Sequence, residues 1–167
     1  SYVSSDVQVQ LNEVGTLWKD TPALAALSRA FVMLLSGKNP SPNGASGIAW
    51  LLESGSCGAA KGTVFGGDVF GHYSATQVFT FAGSTAANDV SIVGHELGHN
   101  FGASHTHCSS ASTGAFPTAT GTIDQCYSGE SNCYSGPTSC PTSGPGAPSG
   151  TLMSYCHVSA SNCGQNV

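Results

Sequence analysis

Charge is scarce in this chain of 167 residues. Asp, Glu, Lys and Arg make up 8% of it, and only Lys19, Arg29, Lys38 and Lys61 are basic, which leaves a net charge of -5. Gripping a phosphate backbone takes clustered Lys and Arg, so nucleic acid is excluded as a partner. Long hydrophobic runs are also missing. No apolar stretch approaches the roughly 20 residues of a membrane span, and no basic-then-apolar leader opens the chain, so no membrane partner is expected and Ser1 reads as the start of a processed or partial chain. Acidic residues nowhere gather into an oxygen-ligand loop, which leaves calcium without support. The one Asn-x-Ser/Thr triplet, Asn39-Pro40-Ser41, is disqualified as a glycosylation acceptor by its proline. Paired Cys-x-x-Cys motifs of a structural zinc site are absent too. The seven cysteines, Cys57, Cys108, Cys126, Cys133, Cys140, Cys156 and Cys163, are therefore read as a disulfide framework, which fits an extracellular setting. An odd count leaves one over, and closeness in sequence favours a short-range bridge among Cys126, Cys133 and Cys140.

What is present is concentrated in His95-Glu96-Leu97-Gly98-His99-Asn100-Phe101-Gly102-Ala103-Ser104-His105. His95 and His99 are four apart, so on a helix they lie about 40° apart around the axis and can offer two imidazole nitrogens to one ion. Glu96 follows the first of them directly, and its carboxylate points beside a metal rather than at it, within reach of the proton of a metal-bound water. A straight helix cannot deliver a third ligand from the same face. Gly102 is suited to stop the helix, because glycine takes positive φ without steric penalty, and Ala103 and Ser104 can then carry His105 back toward the ion. Three neutral imidazoles leave the fourth position of zinc open, as in catalytic rather than structural sites. The competing interpretation is an amphipathic helix with surface histidines, which explains the pair but not the third histidine and the glycine.

The pattern HExxHxxGxxH resembles the metzincin clan of zinc endopeptidases, and Thr151-Leu152-Met153-Ser154-Tyr155 is similar to the clan's Met-turn. The resemblance implies zinc held by His95, His99 and His105, Glu96 as general base, and Met153 as an apolar floor beneath the histidines; a gap-filling core methionine is the plain alternative for Met153. Within the clan, HELGHNFGASH is most similar to the adamalysin or reprolysin branch, and TLMSYCH resembles the turn of bacterial reprolysin-like enzymes. Animal adamalysins carry aspartate after the third histidine where this chain has Thr106-His107-Cys108, and proline two residues after the methionine where it has Tyr155. Astacins and serralysins have tyrosine there. Tyr155 is accordingly a candidate metal ligand or phenolic donor to the oxyanion, or else a wall residue of the turn. His72, His107 and His157 are expected as surface or loop residues. His107 is nonetheless close enough to His105 to compete for the third position, and Glu130 is a distant acid for a different arrangement that the Gly-x-x-His spacing disfavours.

Along the chain, Val7, Val9 and Leu11 alternate with Gln8, Gln10 and Asn12, which predicts a strand with one wet face. A helix is predicted next: Thr21 caps it, Pro22 fits its first turn, Leu24, Leu27, Phe31, Leu34 and Leu35 form its apolar stripe, and Gly37 ends it. After a Pro/Gly/Ser loop at 39–47, the apolar run 48–52 predicts a strand buried on both faces. Residues 62–70, with Val64 and Phe65 before Gly66 and Gly67, form weaker strand material, and 77–81 another strand. Asn88 or Asp89 is expected to cap the helix of His95, with Val90, Val93, Leu97 and Phe101 on a core face turned away from the histidines. From 106 to 150, Ser, Thr, Gly, Pro and Cys dominate, which predicts an irregular subdomain held by disulfides.

These readings combine into an α+β fold in one domain over 1–167: a mixed twisted sheet with a backing helix and a metal-bearing helix in 1–102, then a Cys-rich subdomain in 103–167. The resemblance implies an α/β/α-like metzincin catalytic domain lacking the family's first strand and helix and its last helix. It also implies that Val64, Phe65, Gly66 and Gly67 lie on the edge strand that pairs with extended substrate, and that the 106–150 region shapes the pocket for the side chain after the cut bond. The implied activity is that of a secreted zinc-dependent endopeptidase acting on protein or peptide substrates and matured from a form with an inhibitory propeptide. A non-catalytic zinc-containing binding or structural fragment is the alternative, and the presence of Glu96 speaks against it.

Overall fold

Asp6 opens the first helix. Its carboxylate accepts from the backbone N–H groups of Gln8 at 2.8 Å and Val9 at 3.3 Å, an N-cap that starts α1 at Val7–Asp20. The computed structural model describes residues 4–38, 45–51, 61–64, 67–70, 73–78, 86–109, 121–142, 147, 150–158 and 163. The strand expected at 7–12 is therefore a helix. Val7 and Leu11 fit an alternating pattern, but they are also four apart, and Val14 and Trp18 continue the helical period; Val7, Leu11 and Val14 are buried while Val9 is exposed.

The long helix expected from Thr21 to Gly37 is also corrected. It is one turn, α2 at Pro22–Ala25, followed by a strand, β1 at Val32–Ser36. Arg29 ends the turn by donating from Nη1 to the carbonyls of Leu24 at 3.1 Å and Leu27 at 2.9 Å, while its Nη2 donates to the Tyr73 hydroxyl at 2.7 Å. Freed from the helix, the apolar run after Phe31 pairs as a strand, for which Val and large apolar residues are well suited.

β1 runs parallel to a central strand, β5 at Tyr73–Gln77, whose other neighbour is the antiparallel edge strand β2 at Gly47–Ala49. Of the strand expected at 48–52, Ile48 and Ala49 lie in β2, which is half-buried and among the described residues pairs on one side; Trp50 adds one more bond, its N–H donating to the Tyr73 carbonyl at 3.0 Å, and 52 lies outside the described residues. β5 is buried at every position and lies just before the strand expected at 77–81, of which 79–81 fall outside the described residues. β3 at Lys61–Val64 and β4 at Gly67–Phe70 form a separate antiparallel hairpin.

The two faces of β5 differ in kind. Tyr73 and Ala75 join Val7, Leu11, Val14, Val32 and Trp50 in the apolar core under α1. Ser74 and Thr76 alternate to the opposite face, which is covered by α3 at Ala86–Asn100. The apolar inner face expected for α3 is there only in part: Val93 and Leu97 are half-buried, but Val90 is 70% and Phe101 62% exposed, and the buried residues are Glu96 and Asn100. Asn100 suits that polar face, its Nδ2 donating to the carbonyls of Trp50 at 3.1 Å and Tyr73 at 3.0 Å. Asn88 and Asp89 lie within the first turn of α3 rather than before it.

The chain divides into two compact units, Ser1–Ala103 and Ser104–Val167. The first is the helix-and-sheet layering just described. The second is irregular, with three disulfides, Cys108–Cys133, Cys126–Cys156 and Cys140–Cys163. No bridge joins Cys126, Cys133 and Cys140 to one another, contrary to expectation; each pairs with a partner 23 to 30 residues away. A cross-link over a loop of that length is worth about 3 kcal/mol in chain entropy, which a unit with few large apolar residues needs. Cys57 lies outside the described residues. The fold is thus α+β, with a small mixed sheet, as expected.

Candidate metal centre

The segment after α3 folds as its glycine predicts. Gly102 has φ 89°, its N–H donates to the His99 carbonyl at 2.9 Å, and the Ala103 N–H donates to the Gly98 carbonyl at 3.0 Å. That pair of bonds is the Schellman helix stop, and it turns the chain sharply at the residue where an L side chain would be strained. Ala103 then acts a second time. Its carbonyl lies 2.7 Å from His99 Nδ1, and because a carbonyl can only accept, Nδ1 carries the proton and Nε2 keeps its lone pair.

His95 meets His99 edge-on, with ring centroids 4.8 Å apart. His105 follows His99 by six residues, beyond the Gly102 turn, and joins the two as the third candidate ligand by its place in the sequence. Three imidazoles with no thiolate among them match the donor set of a zinc site that keeps one position open. Two further groups of metal-capable side chains occur among the described residues: Asp124 with Cys126 and Cys156, whose thiols are consumed by a disulfide, and His105, His107 and Glu130 with the disulfide-bonded Cys108, in which both imidazoles are hydrogen-bonded to the carboxylate.

Glu96 is buried on the sheet side of α3, and burial pushes its carboxyl up to about 8. The space it occupies exists because β2 begins with glycine. A Cβ built on Gly47 would lie 2.7 Å from Glu96 Cγ and 2.8 Å from Cδ, and would collide with Oε1. Val64 and Gly67 are placed in the β3–β4 hairpin, while Phe65 and Gly66 lie outside the described residues. Val64 and Gly67 belong to a two-stranded sheet distinct from that of β5.

Met153 and Tyr155 sit in the second unit with His105. The Thr106 N–H donates to the Met153 carbonyl at 3.1 Å, so the turn is tied to the residue that follows His105. Asp124 locks the same point by accepting from the Thr106 hydroxyl and from the Cys126 N–H at 3.0 Å. The Tyr155 ring lies 4.4 Å from the His105 ring, centroid to centroid, and 5.2 Å from that of Tyr127.

His107 corrects an expectation. It is not a surface residue but fully buried, with a relative exposure of 0%. Its Nε2 lies 2.9 Å from Glu130 Oε2, and the same oxygen lies 2.7 Å from His105 Nδ1. Glu130 is partly buried, which raises its carboxyl, but the hydrogen bonds and charges of His105 and His107 outweigh burial and hold it at about 2. His157 is exposed as expected, and His72 lies outside the described residues. Nothing in the spacing of the sequence reveals that Glu130 meets His105, since 25 residues separate them and a disulfide brings the segments together.

Among the described residues, no helix is long and apolar enough to cross a membrane. No curated protein and no solved structure matches the chain. A family model, Reprolysin_5 of metallo-peptidase family M12, matches residues 4–166. Over nearly its whole length, therefore, the chain belongs to metallo-peptidase family M12, a membership that implies a zinc metallopeptidase type of function.

Proposed function

We propose that this chain is a secreted, metzincin-type zinc endopeptidase that cuts peptide bonds within proteins or peptides, with His95, His99 and His105 as metal ligands and Glu96 as general base. The observation that carries the reading is the His95–His99 pair on α3, ring centroids 4.8 Å apart, with the Nδ1 proton of His99 held by the Ala103 carbonyl and the helix stopped at Gly102 three residues before His105. When bound there, zinc supplies Lewis-acid chemistry, polarising a carbonyl and acidifying water. Glu96 takes a proton from the attacking water onto a carboxylate oxygen and passes it to the leaving amine nitrogen. Its burial favours that role, since a desolvated carboxylate is a stronger base than one in water, and a cation held by the flanking histidines acts in the opposite sense to bring its pKa down.

Tyr155 packs on His105 and is the candidate to donate its phenolic hydrogen to the developing oxyanion; Met153 is the candidate apolar floor, held in place through its carbonyl. For the extended substrate the edge strand β2 is a stronger candidate than Val64, Phe65, Gly66 and Gly67. β2 pairs with β5 on one side, has no strand partner on the other among the described residues, and begins against the Glu96 carboxylate. An extracellular working place fits the three disulfides, and an inhibitory propeptide before maturation fits the resemblance to secreted proteases.

Cleavage of a denatured protein, followed with and without phenanthroline, tests the reading. Cleavage should stop with the chelator and return on adding zinc. Persistent cleavage in excess chelator would show that the activity does not depend on the metal.

A further inference from the structure

We propose that Glu130 is the positioning residue of His105: its carboxylate holds the Nδ1 proton of that imidazole, leaving Nε2 for the metal, and the buried His107 holds the carboxylate in place. The proposal rests on His105 being a metal ligand. A carboxylate ionised at neutral pH only accepts hydrogen bonds, so the 2.7 Å contact to His105 Nδ1 and the 2.9 Å contact to His107 Nε2 each require an N–H on the ring. One oxygen, Oε2, takes both. Fixing the proton at Nδ1 gives His105 the same tautomer that the Ala103 carbonyl gives His99, by a side chain instead of the backbone.

His107 explains why this carboxylate stays put. Its ring is stacked on that of His105 at 5.3 Å with an interplanar angle of 9°, and among the described residues its only ring hydrogen bond is to Glu130, since Nδ1 has no partner. Burying a histidine fully and aiming its Nε2–H at a carboxylate already shared with His105 makes sense as a buttress. The backbone encloses the same group. The Tyr134 N–H donates to the His107 carbonyl at 2.9 Å, Cys108 is bridged to Cys133, and Asn132 at φ 63° turns the chain between Glu130 and that disulfide. Glu130 is thereby fastened to the His105–Cys108 segment from the side of its own turn.

The test measures zinc affinity by competition with a chromophoric chelator for the wild type, Glu130→Ala and Glu130→Gln, together with nitrogen NMR of the imidazoles in the metal-free proteins. Loss of an outer-shell partner weakens metal binding by about 10 to 100-fold, so Glu130→Ala should bind zinc weaker by that factor. Glu130→Gln, whose amide oxygen still accepts, should fall between it and the wild type. His105 in the metal-free wild type should carry its proton on Nδ1, a signature that a merely structural Glu130 would not produce. Zinc binding by folded Glu130→Ala as tight as the wild type's, or a wild-type His105 protonated on Nε2 alone, would overturn the proposal. Where Glu130→Ala fails to fold, the wild-type tautomer and the zinc affinity of Glu130→Gln decide between the same two outcomes. A wild type that binds no zinc would overturn the metal centre itself and this proposal with it, which separates the two failures.

Discussion

His99 and Glu96 are three residues apart on one helix, and their environments set opposite tasks. The Ala103 carbonyl keeps a proton on His99 Nδ1 and so keeps Nε2 open, whereas burial against Gly47 leaves Glu96 without the water that would favour its charge. The second effect is measurable as stability. In the metal-free protein the Glu96 carboxyl is raised from 4.5 to about 8, so the folded state binds that proton more tightly than the unfolded chain does. Its contribution to stability is fully present below about 4.5 and is lost as pH rises through about 8. Glu130 has the other sign: with its pKa lowered to about 2, its contribution is present above 4.5 and lost as pH falls toward about 2. Denaturant midpoints of the metal-free protein should therefore decline between pH 4.5 and 8 in the wild type, and Glu96→Gln should remove that decline while keeping the acid-side loss. An equal decline in Glu96→Gln would show that the slope comes from elsewhere.

At the scale of elements, β2 is small and consequential. Its first residue makes room for Glu96, and among the described residues it pairs with a strand on one side only, which is why it is the proposed edge for an extended peptide. Gly47→Ala should keep zinc stoichiometry and lower turnover on the order of 10²-fold, because a displacement of about 1 Å at a catalytic group has that effect. Unchanged turnover in a zinc-loaded Gly47→Ala protein would show that Glu96 does not depend on this gap. The relation between β2 and Glu96 is invisible in the sequence, since 49 positions separate them and Gly47 ends a stretch with the composition of a loop. Nearer neighbours are legible. Gly102 stops α3 by the positive φ its position demands. Local pattern fails where two periods coexist: Val7 and Leu11 satisfy alternation and helical spacing alike, and only Asp6 as cap and Val14 and Trp18 beyond settle the matter. It fails again at Phe31 to Leu35, whose helical stripe is overridden by parallel pairing with β5. The inner face of α3 departs from the apolar rule because that face holds Glu96 and Asn100 over Ser74 and Thr76.

On the scale of the whole molecule, two kinds of stabilisation coexist. The first unit has an apolar core between α1 and the sheet, and the second relies on three disulfides across irregular chain. The candidate ligands and base are legible because they fall within eleven residues governed by helix geometry, and the family match over 4–166 agrees with the class they indicate. The buried His107, its shared carboxylate and the disulfide pairing are not, because they depend on long-range folding of a Ser- and Gly-rich stretch that carries no period. The central claim is that Glu96 is a base beside a metal that three histidines hold without it. The measurement that tests it most directly is the zinc content and the turnover on a denatured protein of Glu96→Ala beside the wild type. The account predicts one zinc per chain in both proteins and turnover lower by about 10² to 10⁴-fold in the variant. Near-normal proteolysis by zinc-loaded Glu96→Ala would contradict it.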